Sequence, residues 1–354
     1  MESYIIQWFG LMMILGFVVI ALRNKQKTKR IISEPKPVSV IVPFRNEKAF
    51  LKEAIDSLLR EVYIAGDEFI FINDHSDDGS ELIDELKNPL ITMLHLEGHE
   101  RGKKAALSKG LNRAKNEWVI TLDADCRVSK GYLNEMRISM NEDADMLLAR
   151  VYPDRGEDSL LLIIEQYEYF LLSVLSHVSA LIRLPLLASG AALAFRKNAW
   201  NKNGRYLTNV HSASGDDMYL LRDFYLNKCK IKPVLSRNAF VFTTASPTVN
   251  EWLQQKLRWA GKSGMYPDLS RKLLAFFFLI HLFIPVLALF INWQIAVYLP
   301  FFEMFFFVHF SELPDKKMNR SILYGFLLRF IYPVLVVYMF FASRRKVMWK
   351  GRPV

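Results

Sequence analysis

Three long apolar segments constrain the fold of this chain more than any other feature of its sequence. They cover residues 4–22, 272–311 and 322–342, and a more polar region lies between the first and the second. The first segment has 19 residues without a charge, which at about 1.5 Å per residue just spans the hydrocarbon core of a bilayer. We therefore expect an N-terminal transmembrane helix over 1–22 and C-terminal membrane helices over 272–342.

The net charge of +10 is concentrated beside these apolar segments. Basic residues cluster at 23–30 and 344–352, which indicates attraction to anionic lipid headgroups and not nucleic-acid binding. A cleaved signal peptide is the alternative for the first segment, but the basic residues follow the apolar run and no small-residue cleavage site appears. Cys126 and Cys229 form neither a disulfide framework nor a zinc-binding spacing. These features predict an integral protein of the inner or plasma membrane whose central region faces the cytoplasm.

Between residues 37 and 250, apolar strands alternate with amphipathic helices. Strands are predicted at 38–43, 68–74, 90–96 and 118–123, and helices at 47–60, 79–87 and 103–115. This alternation predicts an α/β domain with a mostly parallel sheet, in which ligands bind beyond the carboxyl ends of the strands. Asp74 follows one strand, and Asp123 and Asp125 follow another. We expect the three carboxylates to converge on one ligand.

Two further segments combine apolar and polar residues. Residues 159–187 are long and apolar but carry several polar groups, which favours an interfacial helix or helix pair over a membrane span. Residues 251–268 are predicted to form an amphipathic helix at the membrane interface.

The basic tail 343–354 constrains the number of membrane crossings. Residues 272–311 are predicted to form a membrane hairpin. A third full span would place the tail outside, against the positive-inside rule. We therefore expect 322–342 to re-enter or lie at the interface, hinged at Pro333 with Arg329 facing protein or headgroups. The tail is then cytoplasmic and close enough to cover the catalytic face.

The sequence Asp123-Ala124-Asp125 indicates a metal site. Two carboxylates at positions i and i+2 can share Mg²⁺ or Mn²⁺. The phosphates of the substrate commonly supply the remaining ligands of such an ion. Such a cation would absorb the charge of a departing nucleotide diphosphate. The alternative is an exposed turn with two solvated acids.

Gly215-Asp216-Asp217 is the second acidic site. Sugar transfer with inversion needs a carboxylate that accepts the proton of the acceptor hydroxyl. We assign this role to Asp217, with Asp216 in support. The alternative is a helix N-cap, for which Asp is favoured.

Gln255, Arg258 and Trp259 lie within one helical segment. Gln255 and Trp259 are at i and i+4 on one face, and Arg258 can bind phosphate in a forked geometry. Trp259 can stack under a sugar or seal the site at the membrane. The alternative is an ordinary interfacial helix, in which Arg and Trp are common.

Polar pairs follow the first two predicted strands. The carboxylates of Asn46-Glu47 and Asn73-Asp74 can accept from a uracil N–H or a ribose hydroxyl, or else they cap helices and form turns. In the segment Arg101–Lys104, Lys103 can neutralise phosphate, whereas Lys104 is expected in a solvated turn.

Together these motifs resemble the inverting family-2 glycosyltransferases with a GT-A fold. The membrane-bound branch is the most similar. It includes ceramide and carotenoid-acid glycosyltransferases and the processive cellulose and hyaluronan synthases. The resemblance runs from Val38 to the tail and rests on VSVIVPFRNE, FINDHSDDGS, RGKKAAL, TLDAD, ASGAALAF, SGDD and QQKLRW.

The resemblance implies roles for individual residues. Asp74 contacts the nucleotide base, and Pro43, Glu47 and Lys103 lie near the donor. Asp125 holds the metal with Asp123 beside it, and Asp217 is the base. Gln255, Arg258 and Trp259 bind the donor diphosphate and close the acceptor site. Two departures from the family pattern, Asn73 in place of Asp and Ala192 in place of Asn, concern base recognition and donor-sugar contacts.

The sequence therefore predicts a membrane-bound, metal-dependent glycosyltransferase of glycolipid biosynthesis. The expected donor is a nucleotide sugar, specifically a UDP-hexose, and the expected acceptor is a membrane lipid. A polysaccharide synthase subunit is the first alternative, and a polyprenyl-phosphate sugar synthase is another. A catalytically silent, nucleotide-binding membrane scaffold is the alternative outside the enzymes.

Overall fold

The fold was analysed in a computed structural model of the chain. It describes residues 34–80, 87–140, 143–154, 159–203, 216–236, 238–260, 268–294, 296–297, 328, 330–339, 341–342, 348–349 and 352–353. The predicted N-terminal membrane helix, most of the predicted helix 79–87 and the second half of the hairpin 272–311 lie outside these residues, as does Arg329.

The described residues form an α/β domain followed by apolar helices. The strands are β1 (Val38–Phe44), β2 (Glu68–Asn73), β3 (Ile91–His95), β4 (Trp118–Thr121), β5 (Cys126–Val128), β6 (Met146–Leu148), β7 (Arg150–Asp154), β8 (Leu193–Arg196), β9 (Ile231–Pro233), β10 (Phe240–Thr244), β11 (Met348–Trp349) and β12 (Arg352–Pro353). The helices are α1 (Lys48–Leu59), α2 (Lys103–Arg113), α3 (Tyr132–Ser139), α4 (Leu160–Leu181), α5 (Lys197–Asn203), α6 (Asp216–Leu226), α7 (Val249–Ala260), α8 (Leu269–Leu289) and α9 (Phe330–Met339).

The central sheet is mixed but mostly parallel on one side. Its seven strands have the order β3-β2-β1-β4-β8-β6-β9. β1 pairs in parallel with β2 and β4, and β2 pairs in parallel with β3. β8 is antiparallel to both β4 and β6. A smaller sheet of order β5-β10-β7 lies beside it. The predicted mostly parallel sheet is confirmed, and the four predicted strands match β1 to β4 within two residues at each end.

Both faces of the central sheet are covered, because alternate residues of β1 enter different apolar clusters. Val40 and Val42 pack with Leu51 and other residues of α1. Ile41, between them, packs on the opposite face with residues of α2 and α6, including Leu107. A strand buried on both faces reads as a continuous apolar run, and this explains why VSVIV was recognisable in the sequence.

Gly110 allows α2 to lie close to the sheet. A Cβ atom at this position would lie 2.7 Å from Ile41 Cγ2 and 2.9 Å from Ile72 Cδ1. Ala is normally favoured over Gly inside a helix by about 1 kcal/mol. Here the two methyl contacts reverse the preference, because an added methyl in a close-packed core forces neighbouring groups to shift.

Gly110→Ala is accordingly expected to destabilise the protein by about 1–3 kcal/mol. The measurement is thermal unfolding of the full chain in detergent. Ser108→Ala, two residues earlier on the same helix, is the matched control and should leave the unfolding temperature nearly unchanged. An unfolding temperature for Gly110→Ala above that of wild type would contradict the close approach.

α8 differs from the other described helices in its apolar surface. It has 21 residues, it is long and apolar enough to cross a membrane, and much of its side-chain surface is exposed. Its N-terminal turn is fastened to the α/β domain, because the buried Arg271 donates to the carbonyl of Pro185 and stacks on the Tyr225 ring. The exposed apolar residues along the helix include Leu273, Phe276, Leu279, Ile280, Leu287 and Leu289.

α4 is a single helix of the α/β domain, and it packs against β7 and β9. Its polar residues Glu165, Gln166, Glu168 and His177 are all buried. The polar groups that suggested an interfacial position are thus turned inward, and His177 Nε2 lies 3.0 Å from the carbonyl oxygen of Leu148. Whether the outer face of this helix meets a membrane stays a prediction.

Candidate functional site

The ends of three parallel strands provide the frame of the site. β1, β2 and β4 run in the same direction, so their carboxyl ends meet at one edge of the sheet. The chain continues from these ends into the segments that hold Glu47, Asp74 and Asp123. The sheet topology therefore brings these segments to one edge, and their convergence on one ligand stays a prediction.

The loops after β1 and β2 are tied to each other. Asn46 and Asp77 exchange two hydrogen bonds, of 2.8 and 3.0 Å. Asp78 accepts from the backbone N–H of Lys48 at 2.9 Å and so caps the first turn of α1. Asp77 and Asp78 thus have structural roles, whereas Glu47 precedes α1 without capping it through its side chain.

Asp74 is buried beside the start of α2. Its Oδ2 accepts from the N–H of Gly102 at 3.0 Å, and Arg45 lies 4.0 Å from its Oδ1. Burial raises the pKa of Asp74, although the Gly102 N–H and the charge of Arg45 act in the opposite direction. Gly102 has φ +91°, a conformation that glycine adopts without strain. This glycine therefore connects Asp74 to the neighbouring Lys103.

Lys103 extends across the sheet edge to the second carboxylate group. Its Nζ forms an ion pair with Asp123 Oδ1. Asp123, Ala124 and Asp125 lie in a turn that is closed by the N–H of Cys126 donating to the Asp123 carbonyl at 3.1 Å. The turn keeps the two carboxylates at the end of β4. Lys104, on the next position of α2, lies over the Tyr219 ring and not toward the carboxylates.

The carboxylates at the end of β4 could supply some, but not all, of the ligands of a hard divalent cation. Asp123 and Asp125 offer oxygen ligands, which Mg²⁺ and Mn²⁺ prefer. Within the part of the chain that the structure describes, no group of three or more His, Cys, Asp and Glu residues could hold a metal. A bound cation would therefore need ligands from phosphate or water, as expected for an ion that arrives with a nucleotide.

Asp217 lies next to Lys103, on the far side of Gly190. The N–H of Gly190 donates to Asp217 Oδ2 at 3.3 Å. A Cβ atom at Gly190 would lie 3.3 Å from Lys103 Nζ and 3.7 Å from Asp217 Cβ. Asp217, the predicted base, and Lys103, which pairs with Asp123, therefore both lie beside Gly190. Asp216 begins α6 beside it, and its side chain lies outside the described set.

Arg258 lies close enough to this cluster for its charge to act on all three carboxylates. It lies near the end of α7, and its side chain interacts electrostatically with Asp123, Asp125 and Asp217. Burial lowers the pKa of the Arg258 guanidinium, whereas these negative charges act in the opposite direction. Guanidinium groups remain protonated in proteins, so the site holds a fixed positive charge opposite the carboxylates.

Gln255 and Trp259 are placed by the same helix. The Trp259 ring makes an edge contact with Tyr169 at 5.5 Å between centroids, and Lys256 Nζ lies 4.0 Å from its centroid. Lys256 also donates to Gln255 Oε1 at 3.1 Å. Because Lys256 covers one face of the Trp259 ring, only the other face could stack on a sugar.

Sequence reasoning assigned no role at the site to Tyr169 or Glu168 of α4. Tyr169 interacts electrostatically with Asp125 and Arg258, so it lies beside the candidate site, and burial raises its pKa far above the ordinary value. One residue earlier, Glu168 pairs with Lys256 at 2.6 Å. The signal was present in the sequence as acidic and tyrosine residues at helical spacing inside an apolar segment.

The part of the chain that carries Asp74, Lys103, Asp123 and Asp125 matches a known family. The model of the family described as glycosyl transferase family 2 matches residues 39–199, from β1 into α5. Residues 39–199 therefore form a domain of this family. The family-2 domain thus includes the sheet edge, the Asp123 turn and α4, while α6 and α7 add Asp217 and Arg258 from beyond the matched segment.

Curated relatives are similar to this chain over part of its length. The glycosyltransferase GlyG of Streptococcus pneumoniae is 29% identical over 119 residues, which are 32% of this chain and 39% of that protein. The poly-β-1,6-N-acetyl-D-glucosamine synthase of Staphylococcus aureus is 25% identical over 233 residues, 65% of this chain and 55% of that protein. The chain spans about half or less of the length of these relatives.

A solved structure supports the fold. The mannosyltransferase of Pyrobaculum calidifontis, in complex with GDP-mannose and Mn²⁺, aligns with a TM-score of 0.58 and 17% identity. The alignment covers 96% of this chain and all of that one. The chain therefore has the GT-A fold that the sequence predicted.

Proposed function

We propose that this family-2 glycosyltransferase moves a hexose from a UDP-sugar to a membrane lipid, with inversion at the anomeric carbon. The observation that carries the proposal is the electrostatic interaction of the Arg258 guanidinium with Asp123, Asp125 and Asp217, together with the ion pair between Lys103 and Asp123. In this arrangement the Arg258 guanidinium binds the leaving diphosphate. Some of the carboxylates hold a divalent metal, and another accepts a proton.

The two ends of the carboxylate cluster have different tasks in this proposal. Asp125, with Asp123 beside it, would hold Mg²⁺ or Mn²⁺, which neutralises charge on the departing diphosphate when bound. Arg258 would bind the same phosphates with a forked pair of donors. Asp217 would accept the proton of the acceptor hydroxyl as its oxygen attacks the sugar. Lys103 would contribute further positive charge near the nucleotide.

The lipid acceptor is inferred from the apolar surface beside this site. α8 begins at Leu269, soon after α7 ends at Ala260. It is fastened to the α/β domain at Arg271 and presents exposed apolar side chains along its length. A bilayer that covers these side chains would lie next to the helix that carries Arg258, where an acceptor in the headgroup region could enter.

The test is product analysis with the purified full chain in lipid nanodiscs. UDP-hexoses are supplied with Mn²⁺, UDP release is measured, and extracted lipids are analysed by mass spectrometry. The proposal requires a lipid heavier by one hexose, and the product should disappear when the donor is omitted. UDP release without any glycosylated lipid would refute the lipid acceptor while leaving the donor assignment intact.

A polysaccharide synthase is the second candidate. It is favoured by the match to the Staphylococcus aureus poly-β-1,6-N-acetyl-D-glucosamine synthase, which extends over 233 residues. The same experiment separates the two functions, because a synthase would give polymer that is sensitive to a glycosidase and would leave the lipid fraction unchanged in mass.

The proposed topology places the C-terminal tail in the cytoplasm. A cysteine introduced at Val354, in a background with Cys229→Ser, should resist an impermeant maleimide in intact cells and react after permeabilisation. Removal of Cys229 is needed because it is only partly buried. A cysteine at the exposed catalytic-domain residue Asp143 is the matched cytoplasmic control. Labelling of Val354→Cys in intact cells would establish an odd number of crossings between the two sites.

A further inference from the structure

We propose that Lys256 is a positioning residue for the donor site and that Glu168 anchors it; this rests on the donor role proposed for α7. The Lys256 side chain is buried, with Nζ 2.6 Å from Glu168 Oε2. The same Nζ donates to Gln255 Oε1 at 3.1 Å and lies 4.0 Å from the Trp259 ring centroid. One buried cation therefore contacts two of the three residues to which donor contacts are assigned.

The anchor is a carboxylate with a full set of partners. Glu168 is 1% exposed, and it accepts from Trp252 Nε1 at 3.2 Å in addition to pairing with Lys256. Its other oxygen accepts from the Tyr332 hydroxyl at 2.7 Å. A buried carboxylate held by donors from α7 and α9 cannot move far without losing one of them. Its position in turn fixes that of the Lys256 ammonium.

A second acid on α4 belongs to the same network. Glu165 is buried and accepts from both the N–H and the hydroxyl of Ser246, at 2.9 and 2.6 Å. Lys256 and Glu168 both act on it electrostatically. The segment that leads into α7 is thus attached to α4 near the point where Lys256 is attached.

The contacts of α7 divide by helical position. Trp252, Lys256 and Trp259 are at i, i+4 and i+7 and face α4. Leu253 and Leu257 are displaced from them and pack with residues of α9 such as Met339. Arg258 lies on the third side of the helix, roughly 120° from each of these faces, and its charge interacts with Asp123, Asp125 and Asp217. The rotation of α7 about its axis therefore sets the direction of Arg258, and the Lys256–Glu168 pair fixes that rotation.

The pair can be tested separately from its effect on folding. Loss of one partner leaves a buried charge without its counter-ion, which is strongly destabilising, whereas loss of both is often nearly neutral. Glu168→Gln and Lys256→Met are therefore compared with the double variant that carries both changes. For each protein, the unfolding temperature and the dissociation constant of UDP with Mn²⁺ are measured in detergent. Tyr332→Phe, which removes one hydrogen bond to Glu168 and leaves the ion pair in place, is the matched control.

The expected result is a double variant that regains most of the wild-type unfolding temperature but binds UDP at least tenfold more weakly. Tyr332→Phe should bind UDP within about threefold of wild type, because the ion pair remains. Recovery of both stability and UDP affinity in the double variant would overturn the proposal, since the pair would then serve folding alone. If the single variants do not fold, the double variant alone tests the proposal: weakened UDP binding supports it, and wild-type UDP affinity overturns it. Failure of the lipid-acceptor proposal would be visible separately, as wild-type protein that binds UDP but makes no glycolipid.

Discussion

Replacing Asp217 by Asn is expected to lower sugar transfer by about 10²- to 10⁴-fold, the range for loss of a general acid or base. The fold should persist, because the Asn side-chain oxygen can still accept from the Gly190 N–H that Asp217 binds at 3.3 Å. UDP binding should also persist, since the proposed role of Asp217 concerns the acceptor. The measurements are lipid glycosylation by mass spectrometry and UDP binding by calorimetry.

Asp223→Asn on the same helix α6 is the matched control for this substitution. It removes a negative charge about 1.7 helical turns away from Asp217, and transfer should stay close to the wild-type rate. Loss of both UDP binding and transfer in Asp217→Asn would show that Asp217 is a metal ligand or a structural residue. Retention of both would move the proton-accepting role to Asp216.

Asp125→Asn is the second substitution for which a large effect is expected. The departing diphosphate would lose the counter-charge of the metal, and one weakened transition-state contact of this kind costs about 3–4 kcal/mol, or about 10²–10³ in rate. Nucleotide binding with Mn²⁺ should weaken as well, unlike in Asp217→Asn. The comparison of kcat and UDP affinity between the two variants therefore separates the metal from the base.

The control for Asp125→Asn is Asp143→Asn, which removes an exposed carboxylate that pairs with Lys230 at 3.3 Å. An exposed pair of this kind contributes little to stability, so activity should be unchanged. Wild-type turnover by Asp125→Asn in the presence of EDTA would refute the metal role.

The sequence predicted the parallel half of the sheet well. The strands at 38–43, 68–74, 90–96 and 118–123 were recognisable because each is an apolar run between turn signals. β6 and β8 were missed. They are only three and four residues long, and their pairing depends on contacts with β4 and β9 that are distant in the chain. Short strands inserted by tertiary pairing carry little local signal.

The candidate site was predicted less completely than the sheet. Asp74, Asp123 and Asp217 were recognisable because acidic residues at strand and helix ends are a local pattern. Their mutual positions depend on Gly102 and Gly190, whose N–H groups bind two of these carboxylates, and a glycine in a sequence does not reveal its hydrogen-bond partner. The ion pair between Glu168 and Lys256 joins helices far apart in the chain, so no spacing rule could indicate it.

The capping of α1 by Asp78 has a consequence for synthesis of the chain. The first turn of this helix is completed by a side chain 30 positions downstream of Lys48. At about 5–20 residues per second, translation reaches Asp78 roughly 2–6 s after Lys48. During that interval the nascent helix has an uncapped N-terminus, and both edges of β1 lack their partners, because β2 and β4 come later in the chain. The pairing of β1 with β2 and the completion of α1 should therefore occur together on the ribosome, as one event.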